Sequence, residues 1–70
     1  MRPSSIESRR RRDQFAQLVA ADLREGGLDQ AHANVVRHAR DCRLKAETAL
    51  RLSYDPAFVA DVARRAGVAR

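Results

Sequence analysis

Residues 22–31 read Asp-Leu-Arg-Glu-Gly-Gly-Leu-Asp-Gln-Ala, and the pair Gly26-Gly27 at their centre decides the fold. On both sides the apolar residues recur at helical spacing, and a glycine can close a helix in a left-handed conformation without a side-chain clash. Upstream, Phe15, Leu18, Val19 and Leu23, flanked by Ala16 and Ala20, form one stripe. Downstream, Leu28 is placed to staple a second helix that Asp29 caps. The two segments are therefore expected to fold as a helical hairpin that turns at Gly26-Gly27.

Working outward, the second helix meets no Gly or Pro until Pro56. It is expected to run to about Leu52, roughly 35 Å at 1.5 Å per residue. Its seam is Ala31, Val35, His38, Ala39, Cys42, Ala46 and Ala49, mostly small residues that let a neighbouring helix come close. Asn34, Arg37, Asp41, Lys45 and Thr48 make the outer face. Asp22 falls inside the apolar stripe of the first helix, level with His32 across the turn. An acid there needs a local partner, and an Asp22–His32 pair is the expectation.

The ends carry their own signals. Ser4-Ser5-Ile6-Glu7 is a capping box for the first helix, but arginines in early turns oppose the helix dipole. Helical order beginning near Asp13 is the alternative. Asp55-Pro56 opens a third helix with a strong cap and a proline at its first position. Phe58, Val59, Val62, Ala63 and Ala66 form one face, and Gly67 closes the helix with Val68 behind it. Val, Ile and Thr never alternate with polar residues at strand spacing. The fold class is all-α: a helical hairpin plus a shorter third helix. Residues 1–12 form a basic arm and 13–70 a small three-helix bundle.

Seventy residues limit the chain to one domain, and 13 of its 31 hydrophobic residues are alanines. At about 2 kcal/mol per buried large side chain, the remainder barely offsets the entropy of ordering the chain. Self-association or docking on a partner is therefore expected, with Val35, Ala39, Cys42, Leu44 and Ala46 of the second helix as the interface. The single cysteine excludes an internal disulfide and fits a reducing compartment. Neither a membrane-length apolar run nor a signal-peptide core is present, so a cytoplasmic location is expected.

The formal net charge is +5, and its placement is uneven. Residues 1–12 hold five arginines against Glu7, whereas 13–70 hold nine basic and eight acidic side chains. Arg9, Arg10, Arg11 and Arg12 follow one another and point all around a helix, which suits no simple solvated stripe. Arginine pairs bidentately with phosphate, and counterion release then drives association with nucleic acid. Arg37 and Arg40, with Arg51 beyond them, would extend that surface along the second helix. A small non-enzymatic regulator that contacts the phosphate backbone is the expected function. The alternative is an adaptor or inhibitor that docks on a protein, its basic arm meeting an acidic surface. Only Phe15, Tyr54 and Phe58 are aromatic, too few for a base-stacking platform.

Other chemistry finds little support. His38 and Cys42 stand at i, i+4, a metal-ligand spacing, but two ligands do not make a site. No cofactor is expected. No nucleophile–base motif, phosphate loop or carboxylate pair is visible, so neither catalysis nor a small-molecule substrate is expected. Asp61-Val62-Ala63-Arg64-Arg65-Ala66-Gly67-Val68 resembles the first helix and turn of lactose-repressor-type helix-turn-helix regulators. The recognition helix that such a resemblance implies does not follow within the seventy residues. Leu23 to Ala31 resembles the inner turn of a tetratricopeptide-type hairpin, which implies a helical surface offered to peptides, but no 34-residue repeat accompanies it.

Overall fold

The computed structural model describes residues 4–68, with side chains from Arg9 to Val68. The side chains of Ser4, Ile6 and Glu7, and Arg2 and Arg70 as a whole, lie outside what the structure describes. Three helices follow in order: α1 (Ser4–Asp41), α2 (Ala46–Ser53) and α3 (Pro56–Ala66). No strand occurs among the described residues. The arginine run is helical, because α1 is already formed at Ser4.

Gly27 breaks α1 into two limbs, residues 4–26 and 28–41. Its backbone sits at φ 78° and ψ −167°, a region that is essentially restricted to glycine. An unbroken helix of 38 residues would reach about 57 Å. The molecule is only 39 Å long, because the limbs fold back on each other. The hairpin expected from Gly26-Gly27 is thus present, made by one residue rather than a loop. Since only Gly27 leaves helical geometry, Asp29 is not a cap, and Leu28 is exposed rather than stapled.

The second limb does not continue to Leu52. It ends at Asp41, and Arg43 takes a left-handed φ of 60°. Arg43 N–H donates to the Arg40 carbonyl at 3.1 Å and Leu44 N–H to the Ala39 carbonyl at 2.7 Å. These two bonds are the usual closure of a helix, with arginine in the place glycine normally takes. The turn aims Leu44 at the core, where it packs half-buried. Lys45 then precedes α2 without any side-chain cap.

The third helix follows its sequence signals closely. Asp55 accepts a hydrogen bond from Ala57 N–H, Pro56 occupies the first position, and Gly67 closes the helix at φ 78°. Phe58, Val62 and Ala66 are buried against the hairpin, with Phe58 stacked on Phe15. Phe15 is fully buried. Six of the twelve buried residues are alanines (Ala16, Ala20, Ala31, Ala39, Ala49 and Ala66), so the core is closely approached but small in apolar area.

Candidate functional site

Asp22 has a different partner from the one its level across the hairpin suggests. His32 is exposed, and the His38 Nε2 lies 2.5 Å from Asp22 Oδ2. Asn34 donates to the same oxygen at 3.1 Å and Gln30 to Oδ1 at 3.3 Å. Gln30, Asn34 and His38 are spaced by four and share one stripe of the second limb, whereas His32 points about 160° away from it. Burial alone would raise the Asp22 carboxyl, but the bonds from His38, Asn34 and Gln30 hold it below its ordinary value. A carboxylate only accepts, so Nε2 carries the shared proton and Nδ1 is the buried nitrogen without a hydrogen-bond partner among the described residues.

Cys42, one turn after His38, is buried and makes no hydrogen bond to that nitrogen. Burial, and then the charge of Asp41, push its thiol above the ordinary value. A neutral, enclosed thiol is a poor nucleophile and a poor ligand. Asp22, His38 and Cys42 therefore do not form a nucleophile–base–orienter chain. Among the described residues, no group of three or more His, Cys, Asp or Glu is placed to hold a metal ion.

The arginine run and Arg43 lie at the end of the bundle remote from Gly27. Arg9, Arg10 and Arg12 are exposed and Arg11 is half-buried. Arg10 and Arg11 line a shallow depression together with Asp41, Cys42 and Arg43. Arg9 and Arg12 face the other way, into a cleft shared with Asp13 and with Ala57, Phe58 and Asp61 of α3. The acids in that cleft are engaged: Arg65 bonds Asp13 and Asp61, each at 3.0 Å, and Arg64 reaches Asp61 at 3.2 Å. The Arg65 bond chiefly holds the Asp61 carboxyl below its ordinary value.

Arg37 and Arg40 are exposed on the second limb. Arg51 belongs to the separate helix α2, where it pairs with Glu47 at 3.5 Å, so the expected line of Arg37, Arg40 and Arg51 on one helix does not exist. Arg43 is the basic residue that sequence reasoning missed. Inside an uninterrupted helix it carried no special meaning; the left-handed turn is what sets it beside Arg10 and Arg11.

The interface expected for self-association is largely taken up within the chain. Val35, Ala39 and Cys42 are buried in the core, and Leu44 packs half-buried against it. Ala46 alone of that set is exposed. The expected seam is split: Ala31, Val35, Ala39 and Cys42 of the second limb and Ala49 of α2 are buried in the chain's own core, which includes residues of the first limb and of α3.

A different apolar surface is open. A groove of about 280 Å³ runs between the second limb and α3, with Val19 and Leu23 among its lining. Leu28, Ala31 and Val35 lie on one side, and Val59, Val62 and Ala63 on the other. Leu28, Val59 and Val68, all lining it, are 66%, 48% and 59% exposed. Val36, Leu50 and Tyr54 are also exposed but are not part of the lining. Of the six exposed large hydrophobic residues among those described, Leu28, Val59 and Val68 thus line this groove. Among the described residues no helix is long and apolar enough to cross a membrane. No family model, curated protein or solved structure matches the chain.

Proposed function

We propose that this chain is a small non-enzymatic regulatory protein that binds the phosphate backbone of nucleic acid through an arginine-rich pole. The observation that carries the reading is the position of Arg43. The hairpin and the left-handed turn bring it back beside Arg10 and Arg11 at one depression. Holding a non-glycine residue in that conformation costs on the order of 1 kcal/mol, and such strain is found preferentially where a side chain has a task. Arg9 and Arg12 on the first limb, and Arg37 and Arg40 on the second, add exposed cations around it.

A contact of this kind reads charge and spacing rather than bases. Its test is fluorescence anisotropy of a labelled duplex across a salt series. Affinity should fall steeply with salt and vary little with sequence. Replacing Arg9, Arg10 and Arg12 by Ala should reduce the slope of log K against log salt by nearly three, at about 0.9 for each phosphate left unneutralised. The melting temperature should hardly move, since all three side chains are exposed. Duplex binding with an unchanged slope in that variant would reject the reading.

The second reading, an adaptor docked on a protein partner, is favoured by the open apolar groove. Polyglutamate that displaces duplex at equal charge concentration would favour an acidic protein surface as the arm's target.

A further inference from the structure

We infer that the arginine pole enters the major groove of a B-form DNA duplex end-on, so that the phosphates it meets belong to both strands. The inference rests on the phosphate reading above and adds to it the form of the nucleic acid.

The length of the first limb sets the geometry. It has 23 residues (4–26) and the second limb 14 (28–41), so it outruns its neighbour by nine, about 13 Å. Cys42 and Arg43 accordingly meet it at Arg10 and Arg11, and α3 begins beside Arg9 and Arg12. The whole arginine run therefore lies on the part that projects past the second limb. Beyond the run, the turns from Ser4 to Ser8 add about 7.5 Å of helix.

The side chains of the run divide between two sides of that helix. At about 100° per residue, Arg9 and Arg12 point to one flank, and Arg10 and Arg11 to the flank about 180° away. Each flank has its own basic hollow, Arg9 and Arg12 in the cleft against α3, Arg10 and Arg11 beside Arg43. In the cleft, Arg64 and Arg65 already engage Asp13 and Asp61, which leaves Arg9 and Arg12 in excess. In the depression, three arginines face Asp41. Both flanks are net positive, with one helix between them.

Two positive flanks on opposite sides of a helix match two rows of phosphate. A single strand offers one row and leaves one flank unused. A B-form duplex offers two, across a major groove about 12 Å wide and about 8.5 Å deep, which admits a helix about 10–12 Å across. With the turns from Ser4 to Ser8 inside the groove, the arginines come level with the phosphates on its rims. The minor groove of the same duplex, about 6 Å wide, is too narrow. In an A-form RNA duplex the major groove is deep and narrow, so the helix stays outside and one flank loses its phosphates.

Fluorescence anisotropy with three labelled probes of equal length tests this: a DNA duplex, a continuous RNA duplex, and one strand of the DNA. The two duplexes are closest in charge density, so comparing them separates groove shape from charge. At equal salt the DNA duplex should bind on the order of tenfold more tightly than the RNA duplex. Two double variants divide the flanks: Arg9→Ala with Arg12→Ala, and Arg10→Ala with Arg43→Ala. Either should lower the slope of log K against log salt for the DNA duplex by nearly two, at about 0.9 for each phosphate, and remove most of its advantage over RNA. All four side chains are exposed, so melting temperatures near the parent's should separate a lost contact from a lost fold. An RNA duplex or a single strand bound as tightly as the DNA duplex, with a steep salt slope, would overturn the inference and leave the phosphate reading standing. A preference for DNA that survives in either flank variant would also overturn it. Absence of salt-dependent binding to any probe would remove the phosphate reading, and the inference with it.

Discussion

Phe15 and Phe58 stack with ring centroids 5.6 Å apart and an interplanar angle of 20°, joining the first limb of the hairpin to the third helix. They are the only phenylalanines in the chain, and both are buried. Because alanines supply half of the core, this pair carries an unusual share of the apolar contact. Phe58→Ala should cost about 3–5 kcal/mol, the usual range for a phenylalanine removed from a core. That is comparable with the whole stability of a small domain. Urea titration followed by circular dichroism should find the variant mostly unfolded in buffer. A variant with the parent midpoint would show that α3 adds nothing to the core.

The Asp22 carboxylate ties the hairpin together, and its dependence on pH has a definite sign. Its folded pKa lies below the ordinary value, because the bonds from His38, Asn34 and Gln30 outweigh the effect of burial. A group of that kind adds stability above its unfolded pKa of about 3.9, and the contribution disappears as pH falls through the lower folded value. Melting temperature should therefore drop as pH is lowered below about 4. Asp22→Asn should lose about 2 kcal/mol at neutral pH, a typical figure for bonds to a charged group, and its acid-induced drop should be smaller. Equal acid sensitivity in both proteins would assign the effect to Asp61 and other carboxylates.

The turn residue Gly27 allows a sharper check. Its φ of 78° with ψ of −167° is available to glycine and very nearly to nothing else, although a Cβ there would meet no atom within 4 Å. The penalty for Gly27→Ala is therefore conformational rather than steric, about 1–3 kcal/mol. Thermal melts should record that loss. An unaffected melting temperature would mean that the turn can re-form in an ordinary conformation.

What could be read from the sequence, and what could not, divides along physical lines. The breaks at Gly27 and at Asp55-Pro56 were legible because glycine and proline act locally, whatever surrounds them. The stripe of Phe15, Val19 and Ala20 and the packing of Phe58, Val62 and Ala66 were legible for the same reason, since helical periodicity is a local property. The break at Arg43 was not, because the stretch Arg-Asp-Cys-Arg-Leu-Lys holds no Gly or Asn, and its one residue tolerant of a left-handed turn, Asp41, is not the one that takes it. The turn brings Leu44 onto the core, a tertiary contact that the local sequence does not announce. The His38 partner of Asp22 was missed because level along a hairpin says nothing of direction around the helix. The seam of Val35, Ala39 and Cys42 is a contact face, as its small residues imply, but sequence cannot tell a chain's own helix from another's. The groove had no sequence signal of its own.

Arg43 separates a structural residue from a functional one, because the two roles predict changes of opposite sign. Glycine accepts a φ of 60° without strain, so Arg43→Gly should make the helix end easier to form. The gain should be about 0.5–1 kcal/mol, visible as a higher melting temperature. The side chain that is removed lines the same depression as Arg10 and Arg11. If that depression meets phosphate, the variant should bind duplex more weakly, and its salt slope should fall by about one. Arg43→Ala serves as the companion variant, since it removes the guanidinium while keeping the strain. Its binding should match that of Arg43→Gly, and its melting temperature should stay near the parent's. A more stable Arg43→Gly protein with undiminished binding would confirm the strain and remove Arg43 from the phosphate contact. The proposed function would then rest on the arginines of the first limb together with Arg37 and Arg40. Weaker binding in both variants, with greater stability only in the glycine one, is the expected pattern. No purely structural role for the side chain would produce it.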